Sequence, residues 1–303
     1  MDLFLNVFWF DKEMAIMEWF YQIGSNFLNI VFYLISQLGG SIIIIGVIGV
    51  VYWCIDKEKG ERIGFTIITS ICINGVFKSL FSMKRPFEYE GHEHLHKLQD
   101  SKLSASATGS SFPSGHSQNA GCLYSNLAIN FKKKWLTWIC VIIAILIPVS
   151  RLYLGVHFPS DVMVGLILGI AISVSLYFIL TRFKKQKFWI YLGTLLVFTP
   201  LVLLNSAEHD FVRGYGLLAG FILGIFIENK FINFDNNVTL LKKLIRLLIG
   251  IFLVGGAFVI IKVLPEPIEK NKWVTILSYF IIGFLALGVV PFCFQSKRNP
   301  KGL

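Results

Sequence analysis

Long apolar runs dominate the chain, and short polar segments separate them. A helix needs about 20 apolar residues to cross the hydrocarbon core of a bilayer. Windows of that kind give spans near residues 40–55, 62–81, 116–131, 135–153, 161–182, 188–205, 213–229, 243–264 and 273–295. The pattern therefore predicts an all-α, polytopic membrane protein, built as a bundle of about nine transmembrane helices.

The N-terminal region follows a different pattern, because polar groups such as Asp11 and Glu18 alternate with apolar and aromatic side chains. Amphipathic helices of this kind lie in the membrane interface with their apolar face toward the acyl chains. We therefore predict interfacial helices in residues 1–37, with one tilted span as the alternative. The first predicted span is short and has an alternative start within residues 27–38.

The composition agrees with a membrane protein. Hydrophobic residues make up 55% of the 303 residues and charged residues only 15%, which is too few for a soluble surface. The formal net charge of +10 would suit a nucleic-acid ligand, but the basic residues lie in short clusters between apolar runs. Such clusters are topology signals rather than a nucleic-acid-binding stripe, so no nucleic-acid partner is predicted.

The clusters of Lys and Arg fall in alternate connections between the predicted spans. One side holds most of them, at Lys57, Lys59, Arg62, Lys132, Lys133, Lys134, Arg182, Lys184, Lys185, Lys187, Lys230, Lys242, Lys243, Arg246, Lys297, Arg298 and Lys301. Connections rich in Lys and Arg face the cytoplasm. The connections of the other side, which hold the charged motifs described next, are therefore predicted to face the extracytoplasmic space.

The first charged motif contains Lys78 and Arg85, which are seven residues apart, followed by Pro86. Charges at the ends of apolar spans are costly and mark functional sites. On a helix that ends at Pro86, the spacing puts both side chains on one face about 10 Å apart, so that both can reach one anion. Arg offers a planar fork for phosphate oxygens and Lys a point charge. A role as interfacial topology anchors is the alternative.

The second motif, Pro113-Ser114-Gly115-His116, has the residues of a helix start. Ser114 is a favourable N-cap, and Gly115 lets a ligand approach the backbone closely. His116 would lie in the first helical turn, where free backbone N–H groups attract anions. An ordinary interfacial histidine is the alternative.

The third motif runs from Ser150 and Arg151 to His157 and Asp161, with Pro159 in a position that suits a first helical turn. A carboxylate bonded to one ring nitrogen would fix the tautomer and leave the other nitrogen as a nucleophile. Arg151 can reach the same anion. A purely structural His–Asp contact is the alternative. Together, the three motifs supply cations to hold a phosphate and imidazoles to attack it, which is what phosphoryl transfer requires.

These motifs resemble the pattern of the membrane type-2 phosphatidic acid phosphatases, which are related to vanadium haloperoxidases and glucose-6-phosphatase. That pattern is Lys, six residues and Arg-Pro; then Pro-Ser-Gly-His; then Ser-Arg, five residues, His, three residues and Asp, and the chain matches it at each position. The resemblance implies that His157 forms a phosphohistidine, that Asp161 orients it and that His116 protonates the leaving oxygen. It implies phosphate binding by Lys78, Arg85, Ser114, Gly115 and Arg151.

The strong resemblance covers roughly residues 40–182. We therefore predict an N-terminal interfacial segment (1–37), a phosphatase core (38–182) and a C-terminal transmembrane extension (183–303). A minimal family member has six spans, and the extra spans here are more similar to the layout of glucose-6-phosphatase and sphingosine-phosphate phosphatases.

The predicted activity is hydrolysis of a phosphomonoester or pyrophosphate at the outer face of a bacterial cell membrane, without a metal or a cofactor. The favoured substrate is a lipid such as phosphatidic acid, phosphatidylglycerol phosphate, a polyprenyl diphosphate or a sphingoid phosphate. The alternatives are a phosphotransferase with the same phosphohistidine, a sugar-phosphate phosphatase and a phospholipid transporter. Transport needs no nucleophile, proton donor and orienting carboxylate together, so it is disfavoured. His92, His94 and His96 could bind a metal, but a solvated loop is the favoured interpretation.

Overall fold

The computed structural model describes residues 10–96, 107, 109–204, 208–263, 265 and 271–294. Its first helices are α1 (Phe10–Gln22), α2 (Asn26–Gln37), α3 (Ser41–Val50), α4 (Lys57–Phe81), α5 (Gly115–Phe131), α6 (Lys134–Tyr153) and α7 (Pro159–Arg182). They are followed by α8 (Lys187–Leu203), α9 (His209–Ile227), α10 (Leu240–Gly250), α11 (Gly256–Lys262), α12 (Lys272–Phe284) and α13 (Val290–Phe292). The all-α prediction is therefore confirmed.

Within the described residues, 7 helical segments are long and apolar enough to cross a membrane. They are Lys57–Glu88, Lys134–Tyr153, Pro159–Arg182, Lys184–Leu203, His209–Ile232, Leu240–Ile261 and Lys272–Phe292. Helices α2 and α3 pass the same test together across a 45° bend, which gives 8 if this pair is one span. Helix α5 has only 17 residues and buries polar side chains such as Gln118 and Asn126. The polytopic membrane fold is confirmed, whereas the exact count of nine spans is not.

The described chain divides into two compact units. One unit contains the residues up to Ile44 together with Ile73–Ile179, and the other contains Ile45–Cys72 and the residues from Leu180 onward. All three charged motifs belong to the first unit. The predicted division of the chain at residues 37 and 182 stays a prediction.

In the first unit, α5 and α6 form a helical hairpin. Helix α5 ends at Phe131, and Lys132 follows as its C-cap with a φ of 51°, in the left-handed region that commonly terminates helices. Helix α6 begins two residues later and runs back along α5. The start of α5 and the end of α6, which carry the second and third motifs, therefore lie at the same end of the hairpin.

Helix α7 approaches the first turns of α5 at two glycines. A Cβ atom on Gly165 would come within 2.6 Å of the Ser114 carbonyl oxygen, and one on Gly169 would overlap the carbonyl oxygen of Gln118. Small residues at this spacing let helix backbones come close together. The contact brings the first turn of α7, with Asp161, next to the Pro-Ser-Gly-His segment.

Helix α1 is amphipathic, as predicted for part of the N-terminal region. Met14 and Met17 on one face are buried against Leu95 and Phe158, whereas Trp19 is 55% exposed. Its place in the membrane interface stays a prediction, and residues 1–9 lie outside the described part of the chain.

The second unit is built around a close helix pair. A Cβ on Gly216 of α9 would come within 2.5 Å of the Ile276 carbonyl oxygen of α12, and one on Gly220 would overlap the carbonyl oxygen of Phe280. Helix association in a membrane depends on such backbone contact, since lipid is as apolar as the side chains themselves.

Candidate active site

The first motif does not lie on one helix. Helix α4 ends at Phe81, and Ser82 adopts a φ of 44°, so the chain leaves the helix before Arg85. The residue before a proline disfavours the helical region, and Arg85 is extended, with φ −84° and ψ 160°. Pro86 begins a 3₁₀ turn instead of ending a helix. The predicted shared helix face is therefore wrong, although Lys78, in the last turn of α4, and Arg85 both have buried side chains.

Arg85 is held at the site by a set of contacts across the first unit. Its side chain is only 2% exposed. The guanidinium donates to the carbonyl oxygens of Val156 at 2.9 Å and Gly109 at 3.1 Å, and its Nη1 lies 3.3 Å from Nε2 of His157. The tertiary fold, rather than helix periodicity, thus brings the first motif to the third.

The second motif begins α5 as predicted, since Gly115 is its first residue and Ser114 its N-cap. The Ser114 side chain does not cap the helix; its hydroxyl accepts a hydrogen bond from the Ser117 hydroxyl at 3.1 Å. The backbone N–H of Ser114 donates to the carbonyl oxygen of Asp161 at 3.0 Å and so links the second motif to the third. Gly115 and His116 are partly exposed.

The third motif spans the turn between α6 and α7, and α7 begins at Pro159 as predicted. Gly155 in this turn has a φ of 75°, and a side chain there would overlap the carbonyl oxygen of Leu95. Glycine is the residue that adopts this backbone without strain. Arg151 is fully buried and donates to the hydroxyl of Ser36 at 2.6 Å.

His157, Asp161 and Ser111 form a buried cluster. The Ser111 hydroxyl donates to Oδ2 of Asp161 at 2.5 Å and lies 3.3 Å from Nδ1 of His157. The same Oδ2 lies 3.4 Å from Nδ1 and accepts the backbone N–H of Phe158 at 2.9 Å. One nitrogen of the imidazole therefore faces a serine and a carboxylate, and the other faces Arg85.

These contacts assign the proton of the His157 ring. An Arg side chain has donors but no acceptor, so Nε2 of His157 must present its lone pair to Arg85. The ring proton is then on Nδ1, where Asp161 and Ser111 can accept it. Burial lowers the pKa of His157 well below its ordinary value of 6.5, and the charges of Arg85 and Arg151 lower it further. The geometry describes a neutral imidazole whose Nε2 lone pair is directed at a cation.

Several polar residues at the site are outside the three motifs. Ser111 contacts the His–Asp pair, Ser36 contacts Arg151, and Asn74 donates to the carbonyl oxygen of Pro113 at 3.2 Å and to the side chain of Gln118 at 2.8 Å. Sequence reasoning missed all of them, because spacing along the chain does not report contacts between distant segments. The one local signal is that Ser111 stands two residues before Pro113.

The histidines of the loop after the first motif contact helix α1 and the start of the loop. Nδ1 of His92 lies 3.1 Å from the carboxylate of Glu18, and Nε2 of His94 lies 3.0 Å from it. The ring of His96 stacks on Phe87 at 4.4 Å. The loop is therefore not simply solvated: two of its histidines bond to one carboxylate, and the third packs on an aromatic ring.

Two family models match the chain. One, described as the PAP2 superfamily, matches residues 61–185, and the other, described as the transmembrane extension of PAP2 superfamily phosphatases, matches residues 212–298. The first match contains every residue of the three motifs. The second match falls within the predicted C-terminal extension.

Curated relatives are similar over parts of their length. Phosphatidylglycerophosphatase B of Bacillus subtilis is 40% identical over 85 residues, which are 25% of this chain and 40% of the relative. Undecaprenyl-diphosphatase of Sulfolobus acidocaldarius is 32% identical over 120 residues (38% and 54%), and lipid A 1-phosphatase of Rhizobium etli is 31% identical over 110 residues (35% and 46%). The chain thus spans about half the length of the curated relatives it matches.

A solved structure is also similar. The crystal structure of a transmembrane PAP2 type phosphatidylglycerolphosphate phosphatase from Bacillus subtilis is 29% identical, with a TM-score of 0.46. The match covers 58% of this chain and 87% of that one.

Proposed function

The chain belongs to the PAP2 superfamily, and we propose that it is a membrane phosphatase acting on the phosphate of a lipid. The observation that carries the proposal is the position of the His157 ring. Its lone-pair nitrogen lies beside Arg85, while Ser111 and Asp161 hold its other nitrogen. This arrangement presents a nucleophile to the place where a cation can bind a phosphoryl group.

In the first step, Nε2 of His157 attacks phosphorus and the bond between phosphorus and the leaving oxygen breaks. Protonated His116 gives its proton to the leaving oxygen. The positive charge that develops on the His157 ring is stabilised by Asp161 and Ser111 through Nδ1–H. The product of the step is a phosphohistidine and an alcohol, or a monophosphate if the substrate is a pyrophosphate.

In the second step, water attacks the phosphohistidine and the bond between phosphorus and Nε2 breaks. His116, now neutral, takes a proton from the water, which restores the starting state of both histidines. Charge on the phosphoryl oxygens is neutralised in both steps by Lys78, Arg85 and Arg151, whose charges also act on His157. The backbone N–H of Gly115, in the first turn of α5, adds a donor, while the N–H of Ser114 bonds to the Asp161 carbonyl oxygen.

We infer that the site faces the extracytoplasmic side, on an argument that does not depend on the number of spans. Helix α5 starts at the site and ends beside Lys132, and α6 starts at Lys134 and returns to the site. Helix α7 starts at the site and ends at Arg182, before Lys184 and Lys185. The basic residues thus follow the helix ends remote from the motifs, and basic connections face the cytoplasm.

We further propose a phospholipid or polyprenyl phosphate as the substrate. The reactive side chains stand at the ends of membrane helices, which is the depth at which a lipid headgroup presents its phosphate. The relatives with the shared core are named for phosphatidylglycerophosphate, undecaprenyl diphosphate and lipid A. These substrates share a phosphate or diphosphate at the end of an apolar anchor.

The test compares His157→Ala with His209→Ala in purified protein. His209 lies in the second unit, where its ring contacts Thr275. Phosphate release would be measured from phosphatidic acid, phosphatidylglycerophosphate and undecaprenyl diphosphate, with a soluble sugar phosphate for comparison. We expect the kcat of His157→Ala to be lower by about 10³-fold or more, because the variant has no nucleophile to form the covalent intermediate. His209→Ala is expected to keep normal turnover.

Retained turnover in His157→Ala with unchanged folding would overturn the proposal. A labelled donor substrate adds a second readout: label should appear on the wild-type protein in an acid-labile form and be absent from His157→Ala. If label passes to an added alcohol and none appears as free phosphate, the protein is a phosphotransferase. Preference for the sugar phosphate would overturn the lipid assignment alone.

A further inference from the structure

The second unit contains a cleft whose polar lining is mostly lysine. It has a volume of about 420 Å³ and lies between the start of α8 and the end of α9. We call it the lysine cleft, and its described lining is Lys184, Lys185, Lys187, Phe188, Tyr191, Ile225, Phe226, Asn229 and Lys230. Those lining residues include four lysines and no carboxylate.

The lysine cleft lies at the membrane boundary. Two candidate spans, Lys184–Leu203 and His209–Ile232, have their ends there: the first begins at the cleft and the second finishes at it. Apolar side chains near it point outward, since Trp189 is 68% and Phe226 40% exposed. Aromatic and basic residues together are typical of the depth at which lipid headgroups meet acyl chains.

The carboxylates near the cleft are too few to neutralise its lysines, so the cleft has excess positive charge. Lys187 donates to Glu61 at 2.8 Å, and the same buried carboxylate accepts the Tyr191 hydroxyl at 3.0 Å. Lys184 lies 3.7 Å from Glu58, but both side chains are more than 60% exposed, so that pair contributes little. The ammonium of Lys230 lies over the Phe226 ring at 5.5 Å. Two carboxylates therefore face four lysines.

The lining residues also distinguish between two possible ligands, a free phosphate and a phospholipid. A free phosphate would use the lysines but would gain nothing from an apolar wall. A phospholipid would use both, because its phosphate can bind the ammonium groups while its glycerol and first acyl carbons lie against Phe188, Ile225 and Phe226. Basic pockets between transmembrane helices recognise anionic headgroups in this way.

We propose that the lysine cleft binds the headgroup phosphate of an anionic membrane phospholipid. Lys185 and Lys230 supply charge, Lys187 is positioned by Glu61, and the aromatic side chains contact the lipid below its phosphate. The site belongs to the second unit, which contains none of the three catalytic motifs. Its ligand is a phosphodiester lipid that is bound and not cleaved.

The experiment uses the full-length protein in zwitterionic phosphatidylcholine nanodiscs, with phosphatidylglycerol titrated in. Bound anionic lipid is counted by native mass spectrometry, and the apparent Kd is obtained from the same series. The test variant is Lys185→Gln/Lys230→Gln. The matched control is Lys133→Gln/Lys134→Gln, two exposed lysines of the α5–α6 turn with the same change in charge. A charge-conserving variant, Lys185→Arg/Lys230→Arg, completes the set.

We expect the test variant to bind phosphatidylglycerol about 30-fold more weakly, because each basic residue near the surface contributes on the order of a factor of five. The control and the arginine variant should bind like the wild type. Equal binding by the test variant and the wild type would overturn the proposal. So would full displacement of the lipid by inorganic phosphate or glycerol 3-phosphate, since that identifies a site for free anions. The readout is binding, so a failure of the proposed catalytic function would leave it unchanged.

Discussion

The two units use buried charge in different ways. In the second unit, Lys57 donates to the buried carboxylate of Glu228 at 2.8 Å, and Lys187 donates to that of Glu61 at 2.8 Å. In the first unit, Arg85 donates to two backbone carbonyl oxygens and approaches His157. Arg151 donates to the hydroxyl of Ser36.

The difference lies in what the contacts do to the charge. A carboxylate neutralises the cation that it contacts, so the charge of that cation is not available to bind a ligand. A carbonyl or hydroxyl oxygen orients a guanidinium and leaves its charge in place. A buried cation oriented by neutral oxygens can attract an anionic ligand, which is what a phosphoryl-transfer site needs. We therefore expect changes to the buried cations of the first unit to affect activity, and changes to the buried carboxylates Glu61 and Glu228 of the second unit to affect stability.

Among the changes that test this difference between the units, the largest effect is expected at Arg85. Arg85→Leu should lower kcat/KM about 10²–10³-fold, because it removes a donor aimed at the phosphoryl oxygens. The kcat/KM of Arg85→Lys should lie between those of the wild type and Arg85→Leu, since Lys keeps the charge but lacks the planar fork. The measurements are phosphate release and the inhibition constant of inorganic phosphate, which should rise in both variants. Lys84→Gln, an exposed neighbour, is the control; if it matches Arg85→Leu, general charge and not the site explains the loss.

Within the first unit, a smaller effect on activity is expected at Ser111. Ser111→Ala removes the hydroxyl that bonds Asp161 and Nδ1 of His157. A hydrogen bond to a charged group is worth about 1.5–3 kcal/mol, so kcat should fall about 10–100-fold while KM changes little. Ser111→Thr retains the hydroxyl and should restore much of kcat. Ser110→Ala removes a hydroxyl bonded to the Met83 backbone and should leave kcat normal; an equal loss there would mean that only loop structure matters.

The smallest effect on chemistry is expected at Glu228. Its carboxylate is 1% exposed and accepts hydrogen bonds from Lys57 and from the Phe234 backbone. Glu228→Gln should lower the free energy of unfolding by about 1–3 kcal/mol, because the partly buried ammonium of Lys57 loses its charged partner. The measurements are thermal unfolding and kcat per folded molecule, and kcat should equal that of the wild type. Glu58→Gln, with a carboxylate 66% exposed, should change neither. A large fall in kcat for Glu228→Gln would contradict the difference drawn between the two units.

Helix periodicity and residue type in the sequence predicted much of the local structure of the candidate site. The starts of α5 and α7, and the four-residue step from His157 to Asp161, follow from local rules about glycine, proline and helix geometry. Helix geometry gave a wrong prediction at Arg85, because Ser82 adopts a left-handed conformation and α4 ends before Arg85. Spacing along the chain is informative only while the chain keeps one regular conformation.

The membrane class, most helical elements and the identity of the motif residues can be read from the sequence alone, since they depend on apolar run length and on chemistry within short segments. Tertiary packing, in contrast, brings Arg85 to His157 across an irregular segment. The same packing brings Ser111 to the His–Asp pair and places lysines from two helical segments along one cleft. These contacts join residues far apart in the chain, and their geometry is fixed by helix packing at positions such as Gly165 and Gly169. Such packing has no signature in the spacing of the residues it brings together.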